Sequence, residues 1–368
     1  MKLTYIDALR GIAILSVIWF HCHLHHYSAP QFYSVMDTLG SPAAMGVQLF
    51  YVLSAFTLFL SQQRTHQTIG VRTNFYRRRF FRIAPMYYVA IIYYLIQMAY
   101  ATNQPFTQII TTNAWGIVLN ISLLHGLAPQ WINSIIPGGW SVGIEVIVYI
   151  MIPYAYAIIT TLNRAVFFTA CSLGAGFAIT SILYQIPAVQ SNDLLKQYLF
   201  FYLPYQLPVF GCGLIAYYLV IKQDNWVSTP TLWLAVSVIG ISIGSKTVGK
   251  PYLPTLPPTL HFWGSIGFVG LIIGLSKCPV QLLVNPITTY IGKISYSAYL
   301  THFGVLYWSD KILPQQLIPV NSTATNILNF NVKYMIVVFL TGLISILTYY
   351  LIEKPAQELA KTPLQRTN

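Results

Sequence analysis

Tyr5-Ile6-Asp7-Ala8-Leu9-Arg10-Gly11-Ile12-Ala13-Ile14-Leu15-Ser16-Val17-Ile18-Trp19-Phe20-His21-Cys22-His23-Leu24-His25-His26 is apolar enough, and at about 1.5 Å per residue long enough, to cross a bilayer core of roughly 30 Å as one helix. Two of its side chains are out of place in hydrocarbon. Arg10 and His21 stand eleven residues apart, about 16 Å of rise and three turns plus 20°, so they share one face at different depths. Asp7 sits a turn before Arg10 and His25 a turn after His21. Ionisable groups are costly inside a membrane, and a stripe of them marks a pathway or a catalytic site.

The rest of the 368-residue chain has the same character. It is 55% hydrophobic and 8% charged, with 27 Tyr and 20 Phe, a balance that excludes a soluble domain of this size. Apolar stretches of crossing length fall at 5–26, 42–62, 83–101, 140–161, 165–184, 197–221, 230–246, 260–276, 284–306 and 333–352. The fold expected is therefore all-α, a polytopic membrane protein of about ten transmembrane helices. An eleventh apolar piece, 109–125, is broken by Asn113, Asn120 and His125 and reads as a re-entrant or interfacial part of the loop before Trp140. The first segment lacks a small-residue cleavage site, so it is expected to stay as a helix and not to be removed as a signal peptide.

Placing the N-terminus inside puts Lys2, Arg64, Arg72, Arg77, Arg78, Arg79, Arg82, Arg164, Lys222, Lys277, Lys354, Lys361 and Arg366 on the cytoplasmic side. It leaves Lys196, Lys246, Lys250, Lys311 and Lys333 outside. Both termini are then cytoplasmic. One integral-membrane domain is expected over 1–355, with 356–368 a short cytoplasmic tail. The net charge of +12 reads as topology and attraction to the lipid bilayer, and not as nucleic-acid binding. Cys22, Cys171, Cys212 and Cys278 have no C-x-x-C spacing; they read as small buried hydrophobes, with neither a disulfide framework nor a metal site expected. No internal repeat is evident, unlike the inverted halves of many secondary transporters.

Depth picks out the residues that could do chemistry. Counted from the boundaries above, His21 lies about 24 Å up the core, and Glu145, entering after Trp140, lies about 8 Å below the outer surface. His302 falls at a similar height. A carboxylate beside an imidazole would orient it and stabilise its charged form, the arrangement that activates a hydroxyl nucleophile, with His21 as general base. The competing reading is that Glu145 and His21 only lock two helices together. His125 and His261 read as interfacial; His23, His25 and His26 read as lining or capping the helix end.

A second constellation is Asn74-Phe75-Tyr76-Arg77-Arg78-Arg79-Phe80-Phe81-Arg82-Ile83-Ala84-Pro85-Met86-Tyr87. Four arginines in six residues exceed what orientation requires and could present planar forks to phosphate groups, with the flanking aromatics stacking a base. A juxtamembrane sequence gripping lipid headgroups is the plainer alternative. Arg10, at the same end of the helix that carries His21, favours a phosphorylated donor whose arm extends toward the base. Gly46–Phe56 places small residues where helices pack, and Gly138-Gly139-Trp140-Ser141 reads as a turn into a helix with Trp140 as an interface anchor. Trp140, Ser141, Tyr149, Tyr296 and His302 are the candidates for contact with the substrate. Glu353-Lys354-Pro355 ends the last span.

Taken in order, these pieces resemble the acyltransferase-3 family of integral-membrane acyltransferases over nearly the whole chain. The matching residues are Asp7-Ala8-Leu9-Arg10-Gly11 with His21, the Gly46–Phe56 stretch, Arg77 to Pro85, Trp140-Ser141-Val142-Gly143-Ile144-Glu145 with Tyr149 and Pro153, Ser295-Tyr296-Ser297 through His302, and Glu353-Lys354-Pro355. The resemblance implies ten helices in the cell inner membrane. It implies transfer from cytoplasmic acyl-CoA, commonly acetyl-CoA, to a sugar hydroxyl of an extracytoplasmic glycan such as O-antigen, capsule or exopolysaccharide, or of a lipid-linked sugar. By the same resemblance His21 is the base, Glu145 its partner, and Arg10, Arg77, Arg78, Arg79 and Arg82 the donor site, without a metal. Ala55 stands where the family usually has Gly. The chain ends at Asn368 without the soluble hydrolase-like domain of many relatives, so the membrane domain, a homo-oligomer of it or a separate periplasmic partner is expected to complete transfer. Direct attack and an acyl-histidine relay both remain open, and a proton-coupled transporter or exporter is the competing class.

Overall fold

Helix α1 (Thr4–Leu24) forms where the sequence places it, with Asp7 in its first turn opposing the helix dipole. It is packed on several sides, against α2 (Gly46–Thr65), α12 (Pro286–Lys293), α13 (Ser295–Ile312) and α14 (Thr323–Thr348). The computed structural model describes residues 3–25, 42–65, 71–222, 229–248, 259–314 and 316–361. His26 and most of the loop 247–259 lie outside these. Between α2 and α12 run α3 (Val71–Thr102), the short α4 (Phe106–Thr112) and α5 (Ala114–Ile121), α6 (Gly139–Ile158), α7 (Leu162–Tyr184), α8 (Asp193–Phe201), α9 (Leu203–Tyr217), α10 (Pro230–Val248) and α11 (Thr259–Lys277). A last short helix, α15, covers Lys354–Leu359. The described residues are all-helical apart from turns. Seven of the described helical segments are long and apolar enough to cross a membrane, and the protein is a multi-pass membrane protein.

The stretch 284–306, expected as one crossing, is two helices. Asn285 caps α12 through the Thr288 amide, Pro286 occupies the first turn, and the chain breaks at Ile294 before α13 begins. The reason lies in α1. Gly11 and Gly292 face each other so closely that a Cβ on Gly292 would fall on the Asp7 carbonyl, and one on Gly11 on the Thr288 carbonyl. Backbone meets backbone, and α12 is held across the Arg10 end of α1. Gly292→Ala is expected to cost at least about 1–3 kcal/mol, the usual range for overpacking, because the opposing atoms are backbone and cannot rotate away. Gly174 and Gly342 have nothing within 4 Å of an added Cβ, so alanine there should be neutral or slightly stabilising. Thermal unfolding of the three variants in detergent checks the contrast.

Elsewhere the departures from expectation have local causes. Ala55, in the place of the family's glycine, meets Gly213 of α9, whose Cβ would lie 2.7 Å from that of Ala55; the close approach survives with the glycine on the other helix. Asn113 ends α4, while Asn120 accepts from Tyr87 OH at 2.8 Å, so residues that interrupt the apolar run 109–125 join α5 to α3. Lys354–Leu359 docks on α3, where Arg77 Nη2 donates to the Ala360 carbonyl at 2.7 Å. The first residues of the expected tail are thus part of the fold. Cys22 and Cys212 are buried as expected, but Cys171 and Cys278 are exposed, the first of them on α7, whose side chains mostly face outward.

Candidate active site

His21 and His302 meet. His302 is fully buried, its Nε2 lies 3.2 Å from His21 Nδ1, and its Nδ1 lies 2.6 Å from the Tyr299 carbonyl. Phe303 packs on both rings with centroids 4.3 Å away. One turn further along α1 and about two along α13, His25 Nδ1 is 3.0 Å from Asp310 Oδ2, and Lys333 bonds the other Asp310 oxygen. His302 is at the level that counting along the helices predicts.

Glu145 is not there. It accepts from Ser54 Oγ at 2.5 Å and from Tyr149 OH at 2.6 Å, at the Arg10 end of α1. Arg10 reaches the same level through Asp7 at 3.4 Å and Thr57 Oγ1 at 3.1 Å, one turn along α2 from Ser54. The expected His21–Glu145 pair is therefore not formed: the hydrogen bonds of Glu145 go to Ser54 and Tyr149. The error came from the start of α6. Gly138 turns with φ +76°, and the loop before it is tucked inward, with Ile132, Ile135 and Ile136 buried. Buried His125 bonds the Gly139 carbonyl at 2.9 Å and Tyr87 OH at 3.0 Å. The helix begins deep in the protein and not at the surface, which carries Glu145 down with it.

Three further expectations change. Trp140 is no interface anchor and does not line the cavity: it is buried, stacked on Phe201 at 4.2 Å. His125 is a buried strut. His261 is likewise buried, between the rings of Phe200 and Tyr205.

Around Glu145 lies a cavity of about 60 Å³ whose walls include Arg10, Arg82, Ser54, Ser141, Tyr149, Tyr296 and Tyr299. Arg79 lies over the Phe75 and Tyr149 rings at 5.3 and 5.7 Å, and Arg10, Arg79 and Arg82 all face the Glu145 carboxylate. The arginine cluster divides: Arg82 lines this cavity and Arg79 stands behind it over Tyr149, whereas Arg77 holds α15 and Arg78 keeps a buried Nη2 without a hydrogen-bond partner. Phe75, one of the aromatics suggested to stack a base, is fully buried. A larger groove of about 410 Å³ between α3, α13 and α14 is apolar and carries no acid, histidine or arginine.

Tyr299 joins the two levels. Its ring lines the Glu145 cavity, its hydroxyl and that of Ser141 lie 2.7 Å apart and both within reach of the Gly138 carbonyl, and its own carbonyl meets His302. Glu353 is the residue that sequence reasoning passed over. A widened turn over Tyr349–Glu353 aims it inward, 4% exposed, where Ser297 and Gln357 donate to it at 2.8 and 2.9 Å and Arg82 faces it. Its place before Lys354-Pro355 was visible, its partners were not. Glu353→Ala leaves those donors unsatisfied and is expected to cost about 1–3 kcal/mol, with Glu353→Gln losing less; thermal unfolding measures both.

The acyltransferase domain that defines the acyltransferase-3 family matches residues 3–350. The chain belongs to that family. It is an acyl-transferring enzyme, and the site above is read as one. Among curated relatives, "Putative acetyltransferase ORF330" of Acidianus two-tailed virus is 25% identical over 301 residues, 81% of each chain. "Acyltransferase MdmB" of Streptomyces mycarofaciens is 23% identical over 339 residues, covering 86% of this chain and 82% of its own. No solved structure matches the chain.

Proposed function

We propose that this acyltransferase carries an acetyl group from cytoplasmic acetyl-CoA to a hydroxyl of a glycan, polymeric or lipid-linked, on the other side of the cell's inner membrane. The observation that carries the reading is the division of α1: Arg10 at one end opens on a cavity with Arg82, backed by Arg79 over Tyr149, and His21 at the other meets His302. An acyl donor with phosphates at one end and a thioester at the other of a flexible arm fits that division. The acetyl group is favoured by the name of the viral relative. About ten crossings with both termini cytoplasmic would put Arg64, Arg72 to Arg82, Arg164, Lys277 and Lys354 on the cytoplasmic side, in keeping with the positive-inside bias.

In the reaction the acceptor O–H bond breaks and its proton passes to His21, while the oxygen bonds the acyl carbon. The tetrahedral intermediate collapses with loss of the C–S bond, and His21 returns the proton to the sulfur of the departing thiol. Arg10, Arg79 and Arg82 hold phosphate groups of the donor. Tyr299 and Ser141, between the two levels, are the hydroxyls placed to meet the arm. Purified protein in bilayers, given acetyl-CoA labelled in the acetyl group and a mixed bacterial glycan acceptor, is expected to label the glycan in proportion to CoA released. Glycan transport without CoA release would reject this reading in favour of an exporter.

A further inference from the structure

We infer that His302 is a positioning residue that fixes the tautomer of His21, leaving His21 Nε2 as the free base. The inference deepens the proposed reading of His21 and rests on it. A backbone carbonyl can only accept, so the 2.6 Å contact with the Tyr299 oxygen puts the His302 proton on Nδ1. In a neutral imidazole the other nitrogen then carries the lone pair, so His302 Nε2 accepts. Its partner at 3.2 Å is His21 Nδ1, which must donate. The His21 proton is thereby assigned to Nδ1 and Nε2 is left with its lone pair; a further partner of the ring is the Val17 carbonyl a turn back, which can only accept.

The surroundings keep that order in place. His302 is fully buried, wedged by Phe303 and by the ring of Tyr299, whose centroids lie 4.3 and 5.6 Å away. The Tyr299 carbonyl belongs to the preceding turn of the same helix, so its position relative to His302 is set by α13 itself. The relay carbonyl to His302 to His21 does what a carboxylate does in a Ser-His-Asp triad, which is to hold one tautomer and one ring orientation. It does so without a buried anion, at a depth where an anion is costly. When His21 Nε2 takes the acceptor proton, the Nδ1–H bond to His302 stays in place and steadies the charged ring. This also accounts for the absence of Glu145 from this level: the post it was expected to fill is occupied.

The direct test is ¹⁵N spectroscopy of histidine-labelled protein in lipid bilayers, with the His21 signals identified by their loss in His21→Ala. Wild type is expected to show His21 protonated on Nδ1 and bare on Nε2 where the ring is neutral. His302→Leu should move the proton to Nε2, and His302→Gln, whose amide oxygen can accept where Nε2 stood, should restore it to Nδ1. A wild-type His21 protonated on Nε2, or a tautomer indifferent to His302→Leu, overturns the inference. The kinetic counterpart uses acetyl-CoA: His302→Leu should lower kcat by about 10²–10³-fold with donor KM unchanged, and His302→Gln by less than about tenfold. Equal losses in the two variants would also overturn it. Because the spectra do not require turnover, the expected tautomer in a protein that transfers no acyl group from CoA would reject the proposed function and leave the His302 assignment standing.

Discussion

His21→Ala should abolish acyl transfer while leaving the protein folded and its affinity for the donor intact. A positioned general base contributes about 10²–10⁴-fold, so kcat is expected to fall by at least about 10³-fold in a site where no other described imidazole has a free nitrogen aimed the same way. His302 is no equivalent replacement: the loss of His21 bares its Nε2, but that nitrogen lies behind the vacated ring, on the Nδ1 side and away from where His21 Nε2 stood. The ring contacts with Phe303, His302 and Phe20 go and the buried His302 Nε2 loses its partner, so stability should fall by about 1–3 kcal/mol without unfolding the protein. Donor KM should hold, since the arginine cavity lies about 16 Å away along α1. Steady-state kinetics with labelled acetyl-CoA measure both constants. A residual kcat within tenfold of wild type would remove His21 from the chemistry.

Removal of Arg79 and Arg82 together should produce the opposite split. Arg82 makes no hydrogen bond among the described residues while lining the cavity, and Arg79 keeps a buried Nε without a partner; both are charged donors waiting for an acceptor. Hydrogen bonds to charged groups are worth about 1.5–3 kcal/mol each, so the double alanine variant should raise donor KM by about 10²–10⁴-fold. Its kcat at saturation should stay within about tenfold of wild type. Arg77→Ala, by contrast, releases the Ala360 carbonyl and the α15 contact and should act on stability more than on KM. A donor KM unchanged in the double variant would place the donor elsewhere.

The parts of this arrangement that were legible in the sequence are those that depend on counting along one helix. Arg10 and His21 on a shared stripe, His302 at the same height, and four arginines at one membrane edge all follow from rise per residue and the cost of charge in lipid. Glu145 was misplaced because its height was counted from Trp140, and nothing in Gly138-Gly139-Trp140 says whether that turn sits at the surface or inside. The inward tuck depends on Tyr87, Asn120 and His125, which come from three separate segments. In 284–306 Asn285-Pro286 marks only where α12 starts; the break at Ile294 follows the contact of Gly292 with Asp7, which lies far away in the sequence. Glu353 shows the same limit: a carboxylate at the end of a span looks solvated until a widened turn aims it at Ser297 and Arg82.

The measurement that bears most directly on a base and an arginine cavity set at opposite ends of one helix is sided transfer in sealed proteoliposomes. Protein oriented by protease protection of its Arg-rich edge would be given labelled acetyl-CoA only on that side and glycan acceptor only on the other. Labelled glycan in the acceptor compartment, free CoA in the donor compartment and neither with His21→Ala is the predicted result. Transfer that requires donor and acceptor in the same compartment, with none across the intact membrane, would contradict it.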